Sequence, residues 1–244
     1  MKTIILETYE DLSRRAADII LRQLEEKKDM LLCAATGNSP DRTYSLLGEE
    51  YGRRPGLFGD LRVLKLDEWG GLPLTNPGTC ESYLRTHVLK PLNISPDRYI
   101  SFESDPADPE EECRRMQGRL YEAGPIDCCI LGIGVNGHIA LNEPASWMQP
   151  RFHVAELAPT TLNHTMVTAA GKAPTYGLTM GLGDILQSKM ILLLISGSGK
   201  REITGKLLSQ RGVTPELPAS FLLLHPNAVC LIDRQAAPDQ AGNP

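Results

Sequence analysis

The chain has 244 residues, of which 41% are hydrophobic and 23% charged, and its formal net charge is -5. This is the composition of a globular protein, and the acidic balance argues against a nucleic-acid partner, because binding to phosphate backbones needs a basic face. The longest apolar run, residues 190–195, is far shorter than the about 20 residues that cross a bilayer, so no membrane partner is expected.

The cysteines and the N-terminal segment indicate the compartment. No cysteine lies in a CxxC pair, and clustered cysteine and histidine spacing is absent, so no metal site is predicted. Residues 1–6 have the pattern of a strand and meet Glu7 too early for a signal-peptide core. We therefore predict a cytoplasmic protein with reduced thiols. The cysteines are Cys33, Cys80, Cys113, Cys128, Cys129 and Cys230.

Short apolar segments alternate with amphipathic ones along the chain. Strands are predicted at 1–6, 30–35, 61–66, 126–131, 176–180, 190–196 and 228–233. Helices are predicted at 9–27, 40–47, 80–89, 110–122 and 199–208. Because the strands are apolar on nearly every residue, the pattern predicts an α/β fold, a Rossmann-like three-layer sandwich with a mostly parallel sheet, as a single domain over residues 1–244. Ligands of such sheets bind at the carboxyl ends of the strands.

A polar turn follows the strand at 30–35. Ser39 is a plausible N-cap and Pro40 suits the first helical position. A turn of this kind presents free N–H groups and a positive dipole end, which suits phosphate, although an ordinary capped turn has the same composition. The candidate phosphate ligands are Thr36, Gly37, Asn38 and Ser39.

A second Gly/Ser turn, residues 196–200, follows the strand at 190–196 and ends in Lys200. It is not a P-loop, because Leu194 stands where that motif needs glycine and Arg201 where it needs serine or threonine. A lysine at a helix start still suits a sugar phosphate, the alternative being a solvated surface lysine.

The run after the strand at 126–131 matches GxGxxG, a weak signal by itself. Pro144 and the dense polar residues do not fit the helix of a dinucleotide site, so no NAD is expected. Gly137 and its neighbours more simply let the backbone approach another ligand closely. His138 lies between these glycines and Glu143, which distinguishes it from the other histidines.

Two acids, Asp67 and Glu68, follow the strand at 61–66. One carboxylate in a pocket can have a raised pKa and act as a base, with the other contacting the substrate. A helix cap or a salt bridge is the alternative interpretation of the pair.

Together these segments resemble the glucosamine-6-phosphate deaminase family. The resemblance covers almost the whole chain and rests on residues 66–73, on 132–144, which end in Asn142, Glu143 and Pro144, and on 224–226. Residues 72–75 and 77–81 are more similar to the galactosamine-6-phosphate deaminase/isomerase branch. The sensor domains of the same superfamily and the 6-phosphogluconolactonases are the two alternatives.

The resemblance implies a deaminating aldose–ketose isomerase that converts galactosamine 6-phosphate, or glucosamine 6-phosphate, to a ketose 6-phosphate and ammonia without a metal or cofactor. It makes Asp67 the base that moves a proton between C2 and C1, and His138, oriented by Glu143, the group that opens the ring. Asn136 occupies a position of the ring-opening relay that is aspartate in some members.

The resemblance also guides the substrate contacts. A phosphate-binding arginine of some members falls near Met166 here, which leaves Lys200 and residues 36–39 as the expected phosphate ligands. Near the sugar, Cys80 replaces a bulky aromatic residue, and Thr79 or Glu81 could accept a hydrogen bond from an axial C4 hydroxyl.

The alternatives are weighed against sequence features. The corresponding lactonase motif has Gly-His-Thr and lacks Asn-Glu-Pro, and sensors usually carry a DNA-binding segment ahead of the domain, whereas this chain begins with the domain. Monomer and homo-oligomer both stay open.

Overall fold

The computed structural model describes residues 1–162 and 171–238, and in these residues seven parallel strands form the main sheet. The strands are β1 (Lys2–Leu6), β2 (Leu31–Ala34), β3 (Arg62–Lys65), β5 (Tyr99–Ile100), β6 (Cys128–Leu131), β9 (Ile191–Ile195) and β10 (Ala228–Asp233). Their order across the sheet is β1, β10, β9, β6, β2, β3, β5.

A second sheet of three antiparallel strands is built from β4 (Asp67–Gly70), β7 (His153–Ala155) and β8 (Tyr176–Thr179). The strand predicted at 176–180 therefore exists, but it belongs to this small sheet. Asp67 and Glu68, which follow the predicted strand at 61–66, lie at the start of β4, and Asp67 pairs with Thr179. All four residues of β4 are buried, so the sequence has no alternation that would mark this strand.

The helices pack against the main sheet and bury its strands on both faces. Every residue of β2, β6 and β9 is buried, which confirms the α/β fold with a mostly parallel sheet. The helices are α1 (Tyr9–Glu26), α2 (Asn38–Arg53), α3 (Cys80–Leu84), α4 (Pro109–Ala123), α5 (Pro159–Leu162), α6 (Leu182–Leu186) and α7 (Arg201–Leu208).

Helix α1 illustrates how the sequence sets these elements. Thr8 accepts a hydrogen bond from the Asp11 N–H at 3.0 Å, and the Asp11 carboxylate accepts one from the Thr8 N–H, so a capping box fixes the start. Leu12, Ala16, Ile20 and Leu24 recur every fourth residue and are buried in the core.

Two predicted helices differ in extent. Helix α2 begins before residue 40 and runs on to Arg53, and the helix predicted at 80–89 is α3 followed by a π-helical turn, Arg85–Leu89. Across residues 1–162 and 171–238, no helix has the length and apolar character needed to cross a membrane.

Candidate active site

A cavity of about 460 Å³ opens at the carboxyl ends of β2, β3, β6 and β9. It brings together most of the predicted site residues, which follow the ends of these four strands. Those that line it are Thr36, Gly37, Asn38, Ser39, Asp67, His138 and Lys200. Trp69, Thr160, Thr161 and Ser196 also line it, and none of these four was predicted as a site residue.

One end of the cavity is formed by the start of α2. The N-cap is Gly37, with φ of 103°, and no hydrogen bond from a side chain of the described residues caps this end of the helix. The prediction that Ser39 is the N-cap is therefore wrong: the glycine makes the turn, and Ser39 lies inside the first helical turn. Its hydroxyl instead lies 3.0 Å from that of Ser196, across the cavity wall. The exposed N–H dipoles of such an end favour an anion.

Lys200 faces the same end. Its Nζ donates a hydrogen bond to the Ile133 carbonyl at 2.6 Å, and within the part of the chain described it has no ion pair with a carboxylate. Burial lowers the pKa of Lys200. A half-buried ammonium group without a counter-ion is stabilised when an anion binds next to it.

Asp67 lies in the cavity wall with 8% of its surface exposed. Burial, followed by the charge of Glu68, raises the pKa of Asp67 to about 7, against the lowering effects of the Cys80 thiol and Lys65. A carboxylate with this pKa is both ionised near neutral pH and basic enough to take a proton from carbon.

Glu68 does not line the cavity, which corrects its prediction as a substrate-binding residue. It is fully buried behind Asp67, 2.8 Å from Lys65 Nζ. Its two carboxylate oxygens accept the backbone N–H groups of Trp69, Cys80 and Glu81, each at 2.8 Å. The salt-bridge and helix-capping interpretation of this residue is the correct one.

His138 and Glu143 form a hydrogen-bonded pair beside the cavity. His138 Nδ1 lies 3.1 Å from Glu143 Oε2. Burial alone would raise the pKa of Glu143, but hydrogen bonds with His138, Thr161 and Asn136 outweigh it and lower that pKa. Glu143 is therefore an ionised group that orients the imidazole rather than a proton carrier.

Two residues shape the turn around His138: Gly134 by the space that it leaves, and Ala140 by its backbone conformation. A Cβ on Gly134 would lie 2.4 Å from the His138 ring, so only glycine leaves room for the imidazole there. Ala140, which also lines the cavity, has φ of 51°, a conformation that few residues other than glycine adopt. The strain at Ala140 lies within the segment that carries His138 and Glu143, as is common at active sites.

Asn136 and Gly137 lie behind this pair and do not line the cavity. Asn136 Nδ2 donates to Glu143 Oε2 at 2.7 Å, and its Oδ1 accepts the His138 N–H at 3.2 Å, so it orients the pair. Gly137 has φ of 92°, and a Cβ there would lie 2.3 Å from Leu217. This glycine serves the turn and its packing, which corrects its prediction as a substrate contact.

Thr161 is a contact of the pair that the sequence analysis missed. Its hydroxyl donates a short hydrogen bond to Glu143 Oε1 and lies 3.3 Å from His138 Nδ1. It lies on α5, 18 residues after Glu143 and outside the motifs that indicated the site. Met166, near which a phosphate-binding arginine of some family members falls, lies outside the described residues.

The two residues considered for contact with a C4 hydroxyl are occupied elsewhere. The Thr79 hydroxyl caps α3 and donates to Asn76 O at 2.9 Å. The carboxylate of Glu81 is engaged by Lys65, Arg85 and Tyr99. Neither lines the cavity, so this expectation is corrected.

Comparison with known proteins identifies the family. The chain belongs to the family described as glucosamine-6-phosphate isomerases/6-phosphogluconolactonase, whose model matches residues 7–231. It is 42% identical over 228 residues to the protein named "Putative deaminase AgaI" of Escherichia coli (strain K12), covering 93% of this chain and 90% of that one. It is 37% identical over 238 residues to the glucosamine-6-phosphate deaminase of Geobacillus sp. (strain WCH70), covering 97% and 94%.

Solved structures agree with this assignment. A monomeric glucosamine-6-phosphate deaminase of the NagB superfamily superposes with a TM-score of 0.91 at 37% identity, covering 97% of this chain and 98% of the other. The 6-phosphogluconolactonase of Leishmania guyanensis superposes with a TM-score of 0.75 at 16% identity, covering 100% and 99%, which shows the shared fold.

Proposed function

We propose that this protein is a deaminating aldose–ketose isomerase of amino-sugar 6-phosphates, which converts a 2-amino-2-deoxyhexose 6-phosphate and water to a ketose 6-phosphate and ammonia. The observation that carries the proposal is one cavity lined by a basic carboxylate, Asp67, by His138 paired with Glu143, and by Lys200, whose ammonium has no carboxylate partner within residues 1–162 and 171–238. The relatives named as deaminases support the same reaction.

The phosphate binds between Lys200 and the start of α2. The ammonium and the helix dipole both attract the dianion, and the hydroxyls of Ser39 and Ser196 lie next to each other at this end to donate hydrogen bonds. Phosphate binding holds the sugar so that its first carbons reach the middle of the cavity, where Asp67 and His138 lie.

His138 opens the sugar ring by proton transfer between the anomeric hydroxyl and the ring oxygen. Glu143 accepts a hydrogen bond from the imidazole and fixes its orientation, while Asn136 and Thr161 hold Glu143. The resulting aldehyde is the form in which the C2 proton becomes acidic.

Asp67 then removes the proton from C2 to give an enolamine. Returning a proton to C1 gives a ketimine at C2, which water hydrolyses to the ketose and ammonia. Because the carboxylate is buried, its proton affinity is raised towards that of the carbon acid, which lowers the barrier to transfer.

Galactosamine 6-phosphate is the preferred sugar in this proposal, on the strength of residues 72–81. The two sugars differ in the direction of the C4 hydroxyl, and a mismatched polar contact reduces the rate by about 5- to 150-fold. Trp69, two residues after Asp67, lines the cavity and is the residue of this segment that can contact the C4 hydroxyl.

The experiment compares ammonia release from galactosamine 6-phosphate and glucosamine 6-phosphate on one preparation. We expect release from both, with higher kcat/KM for galactosamine 6-phosphate. A tenfold preference for the glucosamine sugar would reverse the substrate assignment alone. Hydrolysis of 6-phosphogluconolactone without ammonia release from either sugar would replace the whole proposal.

Localisation in the cytoplasm also belongs to this proposal. All six cysteines are free thiols, and all are buried in the structure. Free thiols are typical of a reducing compartment, where amino-sugar phosphates are metabolised.

A further inference from the structure

The side chain of Asp67 has one hydrogen bond within the described residues, and its donor is a thiol. Cys80 Sγ lies 3.7 Å from Asp67 Oδ1, and Thr36 Oγ1 lies 3.6 Å from the same sulfur. Asp67 and Thr36 both line the cavity, whereas Cys80 is 1% exposed and lies behind them. The thiol therefore joins the candidate base to the phosphate-binding loop without entering the cavity.

A buried ion-pair network holds Cys80 in place. Cys80 is the first residue of α3, and its N–H donates to Glu68 Oε1 at 2.8 Å. Glu68 is held in turn by Lys65 Nζ at 2.8 Å, and Lys65 also donates to the Phe102 carbonyl at 3.0 Å. Lys65 and Glu68 are both 0% exposed. The sulfur is thus fixed by groups that no substrate can reach.

The thiol keeps its proton and can donate it. Burial, and then the charges of Glu68 and Asp67, raise the pKa of Cys80 well above its ordinary value. The thiol donates its one proton in a hydrogen bond to Asp67, which lowers the pKa of the carboxyl, so the sulfur can only accept in its contact with the Thr36 hydroxyl. The second carboxylate oxygen, Oδ2, has no hydrogen-bond partner among residues 1–162 and 171–238.

We propose that Cys80 is a positioning residue for the base: its thiol holds Oδ1 of Asp67 and so leaves Oδ2 to take the C2 proton of the substrate. The inference rests on the proposed function, because it assigns a role to Cys80 through Asp67. The titratable groups around the carboxylate are Lys65 on β3, Glu68 on β4, Cys33 on β2 and Cys80 on α3.

Two substitutions separate donation from packing. Cys80→Ala removes the donor, so we expect the acidic limb of the kcat/KM profile to move up by about 0.5 to 1 pH unit, with kcat reduced about 3- to 10-fold and KM nearly unchanged. Cys80→Ser keeps a donor, so its acidic limb should lie at the wild-type pH or below it.

Cys113→Ala is the matched control. Cys113 is as buried as Cys80 and, like Cys80, does not line the cavity, but it lies on α4 instead of α3. We expect it to keep the wild-type profile. An acidic limb that is the same in Cys80→Ala, Cys113→Ala and wild type, while Asp67→Asn is inactive, overturns the role of Cys80. An Asp67→Asn variant with wild-type turnover instead overturns the base assignment in the proposed function.

Discussion

The two carboxylates of the site have opposite environments. Asp67 is buried next to the charge of Glu68, its side chain receives one hydrogen bond from the described part of the chain, donated by a thiol, and its pKa is raised to about 7. Glu143 is also mostly buried, but it accepts hydrogen bonds from Asn136, His138 and Thr161, and its pKa is lowered. Burial raises the pKa of both carboxyl groups; the like charge of Glu68 adds to this effect at Asp67, whereas the hydrogen bonds and the charge of His138 outweigh it at Glu143.

This difference supports the roles proposed for the two carboxylates. A carboxylate with few donors is poised to gain and lose a proton near neutral pH, whereas one saturated with donors stays ionised and orients its neighbour. The proposed reaction needs both functions, one for the carbon acid and one for opening the ring. Substitutions at Asp67 and at the His138–Glu143 pair test the two sides of this contrast.

The largest effect is expected at Asp67. Asp67→Asn keeps the shape but removes the base, so kcat should fall about 100- to 10,000-fold while KM changes little. Asp60→Asn, an exposed aspartate on the chain segment before β3, is the control and should behave as wild type. A near-normal kcat in Asp67→Asn would remove Asp67 from the mechanism.

The His138–Glu143 pair should show a different signature. His138→Gln should reduce turnover of the ring-closed sugar about 100-fold, with a smaller loss for substrate supplied in the open-chain form. Because Glu143 acts through His138, adding Glu143→Gln to His138→Gln should cause little further loss. Equal losses on both substrate forms, or fully additive losses, would contradict the ring-opening assignment. His153→Gln, outside the cavity, is the control.

Lys200 should affect binding more than chemistry. Lys200→Ala should raise KM by about tenfold with a smaller change in kcat, because the phosphate contact is the same in the ground and transition states. Lys206→Ala is matched to it: this lysine lies on α7, the helix that Lys200 caps at its N-terminus, is exposed and pairs with Glu202. An unchanged KM in Lys200→Ala would make Lys200 a structural residue.

The smallest effect is on stability. The pKa of Asp67 is raised from 3.8 to about 7 in the folded state, so the protonated carboxyl favours folding. This contribution to the free energy of unfolding is complete below about pH 4 and is lost as the pH rises to 7. Asp67→Asn should therefore melt about 3 to 6 °C above wild type at pH 8, with the gap narrowing as the pH falls towards 4. A difference in melting temperature that stays constant across this pH range, measured by calorimetry, would show that the pKa of Asp67 is not raised in the folded state.

The fold was largely predictable because its signals are local. Fully apolar strands such as β2 and β9, and capping residues such as Thr8, mark parallel-sheet elements within a few residues. The small antiparallel sheet was not, because β4 is buried throughout and pairs with β8, more than a hundred residues away along the chain.

The site was predictable where motif residues face the cavity and not where geometry decides. Asp67, His138 and Lys200 line the cavity as expected. Glu68 points into the interior instead, since strand alternation at β4 places successive side chains on opposite faces. Thr161 contacts Glu143 because the fold places α5 beside the His138–Glu143 pair, and no motif or spacing in the sequence indicates that contact.

The most direct test follows the substrate's own C2 proton by NMR in D₂O. With amino-sugar 6-phosphate and wild-type protein, we expect loss of the C2 proton signal together with ammonia release. His138→Gln should still exchange this proton in substrate supplied open-chain, whereas Asp67→Asn should not exchange it in either form. Exchange at the wild-type rate in Asp67→Asn would contradict the central claim that Asp67 is the base.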